Sequence, residues 1–202
     1  MALEAAPAHL RDEAGVYALE ASGYRLLRAS RNGFHCLIER ETADAFEPRC
    51  FDDEGSATVL PVALFRAEQR ARGVAQSVID REVADRFRRG QFIAPRRVGI
   101  CYMLSTHNVV VVDRGADRVQ RVGPRLLFYA PHLSNAAVGA TPDLESRLLV
   151  IDEQSATAMI VVPVVSAKRT RSNYFSPGST SPLSRSRSAT LPDAAPRHAL
   201  VE

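Results

Sequence analysis

Two strings in this 202-residue chain end in side chains able to do chemistry. Residues 98–108, VGICYMLSTHN, run from an apolar stretch into Ser105, Thr106, His107 and Asn108. Residues 124–135, PRLLFYAPHLSN, run into His132, Ser134 and Asn135. If both are strands of one sheet, the clusters share a rim. That rim is the candidate ligand site: Tyr102, Ser105, His107, Asn108, Tyr129, His132 and Asn135. Two histidines at neighbouring strand ends, with Asp113 or Asp143, suit a metal ion. Ser105 or Ser134 with either histidine and Asp113 suits nucleophilic hydrolysis. Neither spacing demands it, since no G-x-S-x-G elbow is present and a strand-end histidine ordinarily makes one hydrogen bond. Convergence decides. Histidines within about 5 Å of each other or of a carboxylate support proton transfer or metal binding, whereas separate surfaces do not.

The cysteines carry a second question. Cys36, Cys50 and Cys101 contain no C-x-x-C pair, so a zinc site on that spacing is absent. Cys36 and Cys50 can bridge if the segment around residues 49–51 returns beside the strand holding Cys36; in a reducing compartment both stay free. A thiol enzyme would need Cys36 near His107 or His132. Cys36 shares a face with Phe34 and Ile38, however, which argues for burial, and His35 points the other way. Cys101, between Ile100 and Tyr102, reads as a small buried hydrophobe. Residues 52–55, DDEG, read as a solvated turn, because their acids lack the spacings of a calcium loop. No glycine-rich phosphate loop occurs, and neither a cofactor nor a resident metal is expected.

The elements that position these residues follow from periodicity. Segments 16–20, 24–29 and 34–40 are rich in branched and aromatic residues and are separated by Ser22-Gly23 and Asn32-Gly33, which predicts a three-stranded meander. Residues 41–57 look irregular. Two helices are predicted, over 59–72, with Leu60, Leu64, Ala67 and Ala71 as its stripe, and over 77–89, with Ile79, Val83 and Phe87. Ser77 is the expected cap of the second. Further strands are expected at 98–105, 109–113, 126–130, 148–151 and 158–164, with a loop or short turn at Thr141-Pro142-Asp143. The fold class is therefore α+β: a mostly antiparallel sheet with a helical hairpin, about 59–90, packed on one face. Residues 1–14 are expected to be flexible, 15–166 to form one domain, and 167–202, rich in Ser, Pro and Arg, to be disordered.

Composition narrows the function classes. The chain is 46% hydrophobic, enough for one core, and its longest apolar run is strand-length, so no membrane span is expected. The net charge of +3 is uneven: residues 168–202 carry +4 and residues 1–167 carry −1. A balanced body has no electrostatic footprint for nucleic acid. Only the tail, through SRSRS, offers weak binding or a phosphorylation site. The N-terminus lacks the pattern of a signal peptide, which points to the cytoplasm or to a start further upstream.

In order, the strings GVYALEASGYRLLRASRNGFHCLIER, EPRCFDDEGS, LFRAEQRARG, FRRGQFIAPRRVGICYMLS, LLFYAPHLSNAAVG and MIVVPV resemble a group of uncharacterised bacterial proteins that usually carry a secretion signal. The resemblance covers about residues 15–165. It implies no activity. It does imply a periplasmic or extracellular location, and hence a Cys36–Cys50 disulfide. The expected function is a non-catalytic binding or structural domain of an exported or cell-envelope protein. The alternative is a hydrolase or metal-dependent enzyme using the His107/His132 rim.

Overall fold

The computed structural model describes residues 1–113, 115–116, 118–140 and 148–164. Asp143 with its expected loop, and the Ser/Arg tail, lie outside them. The chain divides into Met1–Ser166 and Ala167–Glu202, and all described residues belong to the first unit.

The fold is α+β. The strands are β1 (Gly15–Glu20), β2 (Gly23–Arg28), β3 (His35–Glu39), β4 (Glu47–Phe51), β5 (Ile100–Met103), β6 (Val109–Asp113), β7 (Arg118–Arg121), β8 (Arg125–Tyr129), β9 (Leu149–Ile151) and β10 (Met159–Pro163). The helices are α1 (Asp53–Thr58), α2 (Leu60–Ala71) and α3 (Gln76–Arg88). Eight strands form one sheet in the order β2-β1-β3-β4-β5-β8-β10-β9, while β6 and β7 form a separate ribbon. All pairings in the large sheet are antiparallel except β1 with β3.

That exception corrects the expected meander. Ala21-Ser22 does turn β1 back into β2, but Asn32-Gly33 makes no hairpin between β2 and β3. Asn32 instead caps its own turn, its Oδ1 accepting from the Phe34 amide, and its Nδ2 donates to the Leu10 carbonyl. The chain passes the N-terminal segment and enters β3 on the far side of β1.

The stretch read as irregular holds β4 and α1. Asp52 begins α1 rather than a solvated turn: Oδ1 accepts from the Gly55 amide at 2.9 Å and Oδ2 from the Ile100 amide at 2.7 Å. One carboxylate thus caps a helix and fastens it to β5. Gly55 and Gly99 flank this junction and leave room for Tyr129. A Cβ at Gly55 would lie 1.8 Å from Tyr129 Oη, and one at Gly99 2.8 Å from its ring. Helix α3 starts earlier than expected, with Ala75 rather than Ser77 at its cap.

The core is layered. On one sheet face Leu37, Phe51, Cys101, Met103, Leu127 and Met159 pack beneath Val59, Leu60 and Leu64. Each fully buried Leu or Phe contributes roughly 1.5–3 kcal/mol. Helix α2 is buried on two sides, because Val62 and Phe65 also pack against Ile79 and Val83 of α3. The single stripe expected for α2 captured only the sheet side. On the other sheet face Cys36 and Cys50 are direct cross-strand partners and form a disulfide. Residues 1–14, expected to be flexible, make two short 3-10 turns whose Ala5 and Ala6 are wholly buried against that bridge. Among the described residues no helix is long and apolar enough to cross a membrane.

Candidate functional site

The expected rim does not assemble. Strands β5 and β8 are antiparallel neighbours, with Ile100 opposite Phe128 and Met103 opposite Arg125. Residues that follow β5 therefore emerge at one end of the sheet and residues that follow β8 at the other. His107 and His132 lie at opposite ends.

At the β5 end the groups are mostly structural. Asn108 is fully buried, and its Nδ2 donates to the Met103 and Ser105 carbonyls. Ser105 is buried, donates to Glu4 at 3.3 Å and accepts from the His107 amide. The His107 imidazole lies 3.5 Å from the Glu4 carboxylate, so one histidine does meet an acid. Yet the Ser105 hydroxyl donates to the acid and not to an imidazole nitrogen. The arrangement therefore lacks an exposed nucleophile with its base; it ties the N-terminal segment to the turn after β5. Tyr102 packs on the disulfide face, its ring 6.1 Å from that of Phe34. Tyr129 faces the opposite layer and donates to the Ile100 carbonyl at 3.0 Å. At the β8 end the Asn135 amide clasps the Val150 backbone, donating to its carbonyl at 2.9 Å and accepting from its amide at 2.8 Å. Burial pushes the Cys101 thiol up to about 12. Among the described residues no group of three or more His, Cys, Asp or Glu side chains is placed to hold a metal ion.

Of the seven rim residues, His132 alone borders a substantial cleft, which lies between the helical hairpin and the sheet. Three adjoining cavities make it up, and Arg66 and Asp152 line all three. The mouth, about 490 Å³, is walled by Val83 and Phe87 of α3 and by His132, Gln154 and Thr157. A narrow neck of about 30 Å³ leads past Thr157 and Met159. The floor, about 130 Å³, mixes charge with apolar wall.

Alternation builds the floor. In β3, Glu39 shares its face with Leu37; in β4, Glu47 and Arg49 share theirs with Phe51. Register sets Leu37 opposite Arg49 and Glu39 opposite Glu47. The apolar core face thus passes directly into charge. Arg49 pairs with Glu47 at 2.7 Å and with Glu39 at 3.1 Å. The Glu39 contact is off the N–H direction, so Glu39 Oε2 accepts no hydrogen bond; Arg49 Nε and Arg66 Nε are likewise buried without one. Burial raises the Glu47 carboxyl above its usual range, against the pull of Arg49. Arg125, from β8, is 8% exposed. Burial lowers its pKa, and its Nε reaches only the Gly123 carbonyl, at 3.4 Å. Among the described residues no carboxylate forms an ion pair with it.

The mouth has its own signature. The described non-glycine residues with positive φ are His132 (64°), Asp152 (48°) and Gln154 (63°), and all three border it. Such backbone costs about 1–3 kcal/mol per residue and persists where surrounding bonds enforce it. Here the two turns interlock. The His132 amide donates to the Ser155 carbonyl at 2.8 Å, the Gln154 amide to the Leu133 carbonyl at 2.9 Å, and the His132 ring lies 3.3 Å from the Gln154 carbonyl.

Sequence reasoning found His132 and missed the rest of the cleft. One signal was available: Glu39 alternates with Leu37 on a face that must be buried. The companions Glu47 and Arg49 lie in a strand that Pro48 disguised. Comparison with protein-family models, with curated proteins and with solved structures finds no match to this chain.

Proposed function

We propose that this chain is a non-catalytic binding domain of an exported or cell-envelope bacterial protein, taking a small ligand into the cleft between α2, α3 and the sheet. The observation that carries this reading is the floor: a cavity of about 130 Å³ lined by charged groups, among which Glu39 Oε2, Arg49 Nε and Arg66 Nε are buried without a hydrogen-bond partner. Unsatisfied buried polar groups cost about 1–3 kcal/mol each, which a ligand can offset. The turns enforced around His132 and Gln154 hold the mouth in shape before anything binds, and that lowers the ordering cost of binding. The Cys36–Cys50 disulfide and the resemblance to proteins with secretion signals support the location. The enzyme reading has less behind it, because its two histidines sit at opposite ends of the sheet.

The test is protein-observed NMR with a library of small polar fragments. Shifts should cluster on Arg66, Asp152 and Thr157. Thr157→Trp, at the neck, should abolish them while the protein stays folded. Shifts spread over unrelated surfaces, or unchanged in that variant, would remove the binding reading.

A further inference from the structure

We infer that the floor of the cleft takes the head group of a small aliphatic monocarboxylate, with Arg125 as the residue that grips it. This names the ligand class for the binding reading above and rests on that reading.

Arg125 combines deep burial with the lack of a paired carboxylate among the described residues. Four guanidiniums and four carboxylates line the floor: Arg49, Arg66, Arg70 and Arg125 against Glu39, Glu41, Glu47 and Asp152. Their pairing is uneven. Arg49 holds both Glu39 and Glu47, and Arg66 reaches Asp80 at 3.3 Å. Among the described residues Arg70 bonds to Gln76 and Arg125 only to a backbone carbonyl, although Arg125 is more than nine-tenths buried. A guanidinium does not shed its proton at physiological pH, and a buried cation without a counter-ion is costly. Glu47, a carboxylate whose charge acts on it, has its own pKa raised by burial. The missing partner is an anion from outside.

Shape narrows the anion. The guanidinium fork matches the two oxygens of a carboxylate. Met103, Leu127 and Val161 form apolar wall beside it, suited to a short hydrocarbon chain. The space is several times the roughly 30 Å³ that one water occupies in the liquid, so the ligand is a molecule of a few heavy atoms. Glu39 and Asp152 on the same cavity would repel a second negative charge, which disfavours dicarboxylates.

The experiment is calorimetry and protein-observed NMR on the full, disulfide-bonded chain. The probes are propionate and butyrate, their uncharged amides, and succinate. Propionate or butyrate should shift the Leu127 and Val161 resonances and bind at least tenfold tighter than the matching amide and than succinate. Arg125→Gln should remove that preference. If Arg125→Gln does not fold, the acid–amide comparison on the unaltered protein still decides. Equal binding of acid and amide, or acid shifts away from the floor, overturns the assignment. Neutral fragments entering the cleft while no carboxylate does would leave the binding reading standing and the carboxylate assignment refuted. If nothing enters the cleft, both fall together.

Discussion

Glu47 shows how one residue can be both paired and strained. It shares Arg49 with Glu39 and is 5% exposed. Its folded pKa is raised, so the native state holds a proton that the unfolded chain releases. By linkage, stability falls as pH rises from the ordinary carboxyl value, about 4.3, through the raised folded value, and then levels off. Glu47→Gln lacks this penalty. Urea unfolding between about pH 4 and pH 7 should show the variant gaining on the wild type as pH rises, whatever the offset between them. A difference that is constant or shrinks with pH would mean Glu47 is not raised. The floor was partly legible at this scale, since alternation already put Glu39 beside Leu37. Arg125 was hidden because one arginine opening an apolar strand ordinarily faces solvent.

Asp52 joins two elements through a single side chain. Its two oxygens serve α1 and β5 at once, and Arg97 adds surface pairs to Asp53 and Glu54. Asp52→Ala removes a cap, worth about 0.5–2 kcal/mol, and leaves the half-buried Ile100 amide without its carboxylate, worth up to about 1–3 kcal/mol. The summed loss should appear as a lower urea midpoint with little change in slope. Asp52→Asn keeps the capping oxygen and should recover part of it. A loss below about 0.5 kcal/mol for Asp52→Ala would show that water replaces both bonds. In the sequence, three acids before a glycine read as a solvated turn. Only the approach of β5 shows that the first of them faces inward.

Across the whole molecule the disulfide and the N-terminal segment form one layer. Ala5 and Ala6 cover the bridge, and the Ala5 carbonyl accepts from the Leu104 amide. Closing a loop of about 15 residues should contribute roughly 3 kcal/mol. Replacing Cys36 and Cys50 together by serine should lower stability by about that amount. Intact-mass alkylation of exported, non-reduced protein should label no cysteine in the native state and Cys101 alone after denaturation, since burial holds that thiol up at about 12. Three labels on exported, denatured protein would remove the bridge and, with it, the main support for an oxidising compartment.

The order of the residues by itself determined the α+β class, the positions of α2 and α3 to within a few residues, and most strands. These depend on backbone periodicity and turn chemistry within about ten residues. It also made the Cys36–Cys50 pair conceivable, because their separation permits a strand to return. The tertiary structure alone decided which ends of the strands meet. A connection long enough to cross the sheet is compatible with either direction, so VGICYMLSTHN and PRLLFYAPHLSN read alike whether their histidines converge or part. Antiparallel pairing of β5 with β8 parted them. The cleft was decided the same way. Its charges come from three strands, a helix and two connecting segments, and they face one another only once cross-strand register and the packing of α2 on the sheet are set.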